Sequence, residues 1–321
     1  MIWVKKVSSF RYPFLHTKRF VEVSSTDVLS NEIILLAKNA LEERDELPIW
    51  KSFKQNSPER LITIIENDKE NIVIEKHGYP NLNISLRDDS ALKALLTSER
   101  ILIDISGLPH YIWAPILKAC YEAQKFIRVL YVEPQTYKHH STPSSSTLFD
   151  LSDSFEGLAP LPGFARLAGP SDESKCLFVA LLGFEGNRPQ RLVDQIDPPP
   201  IVIPVVGVPG FQIEYPSFTV ACNRYLFREY RAHSNLRFAR ASCPFDIINT
   251  LSDIKKDYPD HYMYVALVGT KPHALGAIWY SIVNPSSTEV MFDFPIKKKD
   301  RTRGIGTIHI YDFGVFDAPR S

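Results

Sequence analysis

The sequence predicts an α/β protein built on a mainly parallel, Rossmann-like sheet with helices on both faces, as a single unit or as two related lobes. Two observations carry this expectation. Continuous apolar runs such as Ile101–Ile105, Cys176–Leu182 and Tyr262–Val268 alternate with helical segments, as strands buried on both faces of a parallel sheet require. Short glycine-bearing turns then join strand ends to helix starts. With 44% hydrophobic and 23% charged residues, the chain is ordinary for a packed globular protein and long enough for a substantial core.

Taken in order, Asn31–Glu43 has Ile33, Leu36, Ala37, Ala40 and Leu41 on one helical face and predicts a helix. Leu61–Glu66 and Asn71–Glu75 are short and β-branched, and predict two strands joined by the turn Asn67–Glu70. Ser90 suits the N-cap of a helix over Ala91–Thr97. Ile101–Ile105 predicts a strand interrupted only by Asp104, and Pro109 suits the first turn of a helix ending near Gln124. Phe126–Val132 is the next strand. The Ser/Thr-rich stretch 138–154 reads as a linker or an ordered lid between an N-terminal α/β region, 1–137, and a C-terminal Rossmann-like region, 155–321. In the second half the expected strands are Cys176–Leu182, Ile201–Val206, Leu236–Ala241, Tyr262–Val268, Glu289–Phe294 and Thr307–Phe313. The expected helices are Pro189–Asp197, Tyr215–Tyr230, Phe245–Asp257 and Pro272–Val283.

Lys plus Arg and Asp plus Glu each number 37, so no global field points to long nucleic acid or a membrane. The four cysteines, Cys120, Cys176, Cys222 and Cys243, show no metal-ligand spacing and no disulfide framework, which predicts buried thiols in a reducing compartment. Met1–Phe20 has no apolar core of a signal peptide, and no apolar run reaches the ~20 residues of a spanning helix. The expectation is a soluble, cytoplasmic protein without a metal or other cofactor.

Ligands of parallel α/β sheets bind at the carboxyl edge, where helix N-termini offer unpaired N–H groups to anions. Four turns at that edge carry glycine. Asp104, Ser106 and Gly107 could hold a phosphate or ribose, or form a plain capped turn. Gly183, Glu185, Asn187 and Arg188 lead into a helix, with Arg188 suited to bidentate phosphate binding. Gly207 opens a bare turn through Val208, Pro209 and Gly210. Gly269, Thr270, Lys271 and His273 are the most specific set: a hydroxyl, a mobile ammonium at an open edge and a helix N-terminus, the parts of a phosphate cradle but not a Walker loop.

The stretch Tyr264–Asp293, YVALVGTKPHALGAIWYSIVNPSSTEVMFD, resembles the strand-loop-helix-strand signature of CRISPR-associated Rossmann-fold (CARF) domains. Gly269, Thr270 and Lys271, with Ala274 and Gly276 on the helix, match the Thr-Gly-Gly-Thr-Lys turn of that family, whereas Leu267-Val268 stands where the family has Thr-Gly. The Asp104–Gly107 turn is a fainter echo without the lysine. Together the two turns resemble the paired arrangement of SAVED domains. The resemblance implies sensing of a cyclic or linear oligonucleotide in prokaryotic defence.

The basic run Lys297, Lys298, Lys299, Arg301 and Arg303 reads as a solvated loop or as a loop facing an oligonucleotide. His139-His140 has no partner spacing for a metal. No GxSxG, HExxH, paired CxxC or kinase-type motif is present. The leading expectation is therefore a nucleotide or oligonucleotide sensor that signals through a protein partner or a homo-oligomer. The alternatives are a nucleotide hydrolase with Asp104 or Glu185 as general base, and a structural subunit of a complex.

Overall fold

A computed structural model describes residues 16–38, 41–144, 147–166, 169–173 and 175–314. Most of the Met1–Phe20 reading, and Ala40, lie outside them. In chain order the strands are β1 (Thr17–Phe20), β2 (Glu32–Ala37), β3 (Leu61–Glu66), β4 (Asn71–Lys76), β5 (Leu82–Ser85), β6 (Arg100–Asp104), β7 (Phe126–Tyr137), β8 (His139–Ser144), β9 (Thr147–Phe149), β10 (Ser152–Phe155), β11 (Cys176–Leu181), β12 (Ile201–Gly207), β13 (Arg237–Ala239), β14 (Tyr262–Leu267), β15 (Thr288–Met291), β16 (Pro295–Lys297) and β17 (Thr302–Asp312). The α-helices are α1 (Pro48–Asn56), α2 (Asp89–Leu95), α3 (His110–Glu122), α4 (Asn187–Val193), α5 (Tyr215–Cys222), α6 (Arg224–Glu229), α7 (Pro244–Asp257) and α8 (Lys271–Val283).

The larger sheet corrects the expected fold class. Its eight strands run β1-β17-β7-β6-β2-β3-β4-β5. Only the central pairings β7–β6, β6–β2 and β2–β3 are parallel. The four outer pairings are antiparallel, so the sheet is mixed rather than mainly parallel. The cause is local on one flank, where the four-residue turn Asn67–Glu70 reverses the chain between β3 and β4. On the other flank, β17 returns from the far end of the sequence to lie between β1 and β7.

The second sheet, β13-β12-β11-β14-β15, is parallel in every pairing. Alternation along β11 explains its unbroken apolar sequence. Leu177, Val179 and Leu181 enter one core cluster while Phe178, Ala180 and Leu182 enter another on the opposite face. On the first face lie α7 and α8; on the second, α4 and α6 contribute Leu192, Val193, Leu226 and Phe227.

The same logic corrects the helix expected over Asn31–Glu43. Glu32–Ala37 is β2, with Ile34 and Leu36 packed against Trp50 of α1 and Leu35 in the core on the other face. A strand buried on both faces is apolar at every position, so chance spacing imitates a helical stripe. Elsewhere the differences are small. Asp88, not Ser90, caps α2, its carboxylate accepting from the Ala91 N–H at 2.9 Å. Tyr215–Tyr230 breaks into α5 and α6 at Asn223, whose side-chain amide donates to the Gly183 and Thr219 carbonyls. Residues 138–154 hold β8, β9 and the start of β10, which pairs with β16.

The two sheets share one core, with α3, α7 and α8 sandwiched between them. Ile103 and Tyr311 from the first sheet meet Val179 and Val265 from the second through Trp113, Ile248 and Trp279. Each such side chain contributes roughly 1.5–3 kcal/mol on burial. Helix α8 is buried from Lys271 to Ser281, as its nearly all-apolar sequence requires. Gly276 is needed there: a Cβ would sit 2.3 Å from the Pro244 carbonyl oxygen of α7. Cys120, Cys176, Cys222 and Cys243 are buried free thiols. Among the described residues no helix is long and apolar enough to cross a membrane, and no group of His, Cys, Asp and Glu could hold a metal.

Candidate functional site

The carboxyl ends of β6, β11, β12 and β14 open onto one cavity of about 1110 Å³ between the two sheets. Gly107, Gly183, Glu185, Arg188, Gly207, Gly269, Thr270 and Lys271 line it. Four of the predicted residues, Asp104, Ser106, Asn187 and His273, are not on its wall. The four glycine turns therefore converge, but from two sheets, because the Asp104–Gly107 turn belongs to the mixed one.

Packing alone accounts for part of this chemistry. A Cβ on Gly183 would meet the Val268 carbonyl oxygen at 2.4 Å, so glycine lets the turns after β11 and β14 touch. The Thr270 hydroxyl caps α8, accepting from the His273 N–H at 3.3 Å, and donates to the Ala241 carbonyl at 2.6 Å. His273 is wholly buried against the Arg240 carbonyl, and burial lowers its pKa to about 4. Ser106 accepts the Val132 N–H through its hydroxyl. Asp104 accepts from Trp50 Nε1 at 2.8 Å and the Ser106 N–H at 2.9 Å, and burial raises its pKa to about 6. With its carboxylate turned to Trp50 and off the cavity wall, Asp104 is not placed to act as a base there.

The two cations expected to grip phosphate are engaged internally. Lys271 is buried instead of standing at an open edge. Its ammonium spans from α8 to the turn before α3 and donates to the carbonyls of Ile105 at 2.6 Å, Leu108 at 2.9 Å and Ser106. Burial, with the nearby charges of Lys297 and Arg44, pulls its pKa down, while the three acceptors call for the three protons that only the ammonium carries. Arg188 gives Nε and Nη2 to Asp293 at 2.9 and 2.6 Å and Nη1 to Glu185 at 2.9 Å. Those ion pairs hold its pKa above the ordinary arginine value against the opposing effect of burial.

Other residues complete the wall. Phe184, Tyr137 and Tyr215 form an aromatic side: the Phe184 ring lies 5.6 Å from Tyr137 and 5.2 Å from Tyr215, both edge-on, and stacks on Phe149 at 4.3 Å. Arg44 is tied to Glu42 at 2.7 Å and to the Val132 carbonyl at 2.8 Å. Arg301 gives Nε to the same Glu42 at 2.7 Å. These charges push the Glu42 carboxyl far below its ordinary range despite burial. The basic run divides: Lys297 and Arg301 face the cavity, Lys298 pairs with Asp150 at 2.8 Å, and Lys299 and Arg303 are exposed. Arg44, Tyr137 and Phe184 carry no local signal that marks them out. The basic run did carry one, without saying which of its members face inward.

A second cavity, of about 370 Å³, is lined in part by Cys176 of β11, Tyr264 of β14 and Glu289–Met291 of β15, and includes none of the predicted residues. No family model matches the chain, and no curated protein matches it.

Proposed function

We propose that the chain is a nucleotide or oligonucleotide recognition module whose ligand occupies the cavity between the two sheets. The observation that carries this reading is the convergence of four glycine turns, an aromatic wall and unspent cations on one space large enough for such a ligand. Aromatic rings offer stacking to bases, worth roughly 1–3 kcal/mol each. Cations and helix N-termini suit phosphates. The resemblance of Tyr264–Asp293 to CARF and SAVED sensors supports the same reading and extends it to prokaryotic defence. In that setting the protein works in the cytoplasm and passes the signal to a partner protein or a second copy of itself. Both sheets contribute to the cavity wall, so a ligand that binds two arrangements of the sheets with different affinity would shift the balance between them, which is the change a partner would read.

The test is a panel of mono-, oligo- and cyclic nucleotides followed by thermal melting and by chromatography of the recovered ligand. A sensor's ligand should stabilise the fold by ~2.7 kcal/mol when present at a hundred times its Kd, and should be recovered unchanged. Consumption of the ligand would favour an enzyme. Stabilisation by no member of the panel would leave the structural-subunit reading in possession.

A further inference from the structure

Six cationic side chains line the cavity, and four are tied down within it or at its rim. Arg188 is held by Asp293 and Glu185, Lys271 by three carbonyls, Arg44 by Glu42 and Val132, and Lys69 by Glu156. Lys297 differs: its ammonium makes no hydrogen bond or ion pair with any described residue. Arg301 spends only Nε, and its two terminal nitrogens donate no hydrogen bond to a described residue. Beside them His110, at the start of α3, has a buried Nε2 with no partner among the described residues. Burial and the positive fields of Lys271, Lys297, Arg188 and Arg301 hold this imidazole neutral, and with Nε2 buried its Nδ1 is the ring nitrogen left to meet a ligand in the cavity.

Resting on the nucleotide reading, we infer that Lys297, Arg301 and His110 form the phosphoryl subsite of the cavity, and that Lys271 and Arg188 hold its walls rather than its ligand. The three side chains come from β16, the segment before β17 and α3, line the same cavity and lie close enough to feel one another's charge. Their chemistry is complementary to a phosphate monoester or diester: a guanidinium edge for two oxygens, a mobile ammonium, and a neutral N–H.

The groups facing Lys297 set its acidity. Arg301 and Arg44 repel its charge, Lys271 and His110 stand nearby, and Glu42 and Asp45 attract it; burial dominates and lowers its pKa to about 8. A bound anion favours the ammonium and raises that value. Affinity is therefore complete below about pH 8 and falls as pH rises through it, with a proton taken up on binding.

Pyrophosphate is the probe, titrated calorimetrically into the full chain at low salt. Wild type should bind it, Lys297→Met should bind about 10- to 100-fold more weakly, and Lys297→Arg should stay within several-fold of wild type. The loss of affinity above pH 8 should be larger in wild type than in Lys297→Met, a difference from which the probe's own titration cancels. Acetylation mapping of wild type gives a readout that needs no variant to fold: pyrophosphate should slow modification of Lys297. Equal affinity in wild type and Lys297→Met, or unchanged acetylation of Lys297 under saturating pyrophosphate, overturns the subsite. Pyrophosphate binding at Lys297 with no added affinity from any nucleoside moiety would uphold the subsite and sink the nucleotide reading instead.

Discussion

Lys271→Met should cost the fold about 3 kcal/mol, read as a lower midpoint of urea unfolding at an unchanged slope. The substitution keeps the length and apolar stem of the side chain but removes the donor serving the carbonyls of Ile105, Ser106 and Leu108. A buried acceptor left without a partner costs roughly 1–3 kcal/mol. Three such losses would sum to roughly 3–9 kcal/mol, but the adjoining cavity admits water to the vacated carbonyls, which argues for the lower end of that sum. The expected loss is opposite to that of an open-edge lysine, which contributes little to folding. A change under 1 kcal/mol would mean that the bridge between α8 and the turn before α3 is dispensable.

Arg188→Met should be the most damaging single change at the site, at about 3–5 kcal/mol, because it strands Asp293 and Glu185 without their cation. The penalty belongs to the orphaned charge rather than to lost attraction. Adding Asp293→Leu to Arg188→Met should therefore recover a large part of the stability, since an apolar pair in a buried position is often no worse than an ion pair. Chemical denaturation of the two single variants and the double variant measures this coupling. Simple additivity of the two losses would show that Arg188 and Asp293 act independently, contrary to their 2.6 Å contact.

How far this was legible in the sequence follows from how locally each feature is encoded. The parallel sheet was legible because burial on both faces makes each strand continuously apolar, and because tight turns after β11, β12 and β14 require small residues. The β3–β4 hairpin was legible from its turn, but the antiparallel flank β1–β17–β7 was not, since nothing within Thr302–Asp312 names Phe126–Tyr137 as its neighbour. The site divides in the same way. Turn composition marked Gly107, Gly183, Gly207 and Gly269, and all four reached one cavity. Residue type alone marked Lys271 and Arg188 as phosphate ligands, but all of Lys271's partners, and Arg188's partner Asp293, lie far along the chain. The Ile105 carbonyl is 166 positions from Lys271, and Asp293 is 105 from Arg188. A cation's availability depends on which acceptors the fold brings to it, and that is a tertiary property. Lys297 is the converse case: a member of an unremarkable basic run whose ammonium the fold leaves without a partner among the described residues.

The position of β17 between β1 and β7 bears on the order in which the chain can assemble during its synthesis. Every strand of the parallel sheet, from Cys176 to Met291, leaves the ribosome before Thr302–Asp312 does. That sheet can close while the mixed one still lacks an internal member. Until β17 arrives, the twelve-residue β7 presents an unpaired edge and β1 has no neighbour. A long, largely apolar open edge is the element most exposed to pairing with the wrong chain. The nascent protein is thus most vulnerable between the emergence of β7 and that of β17, and β17 acts as the latch that ends that interval.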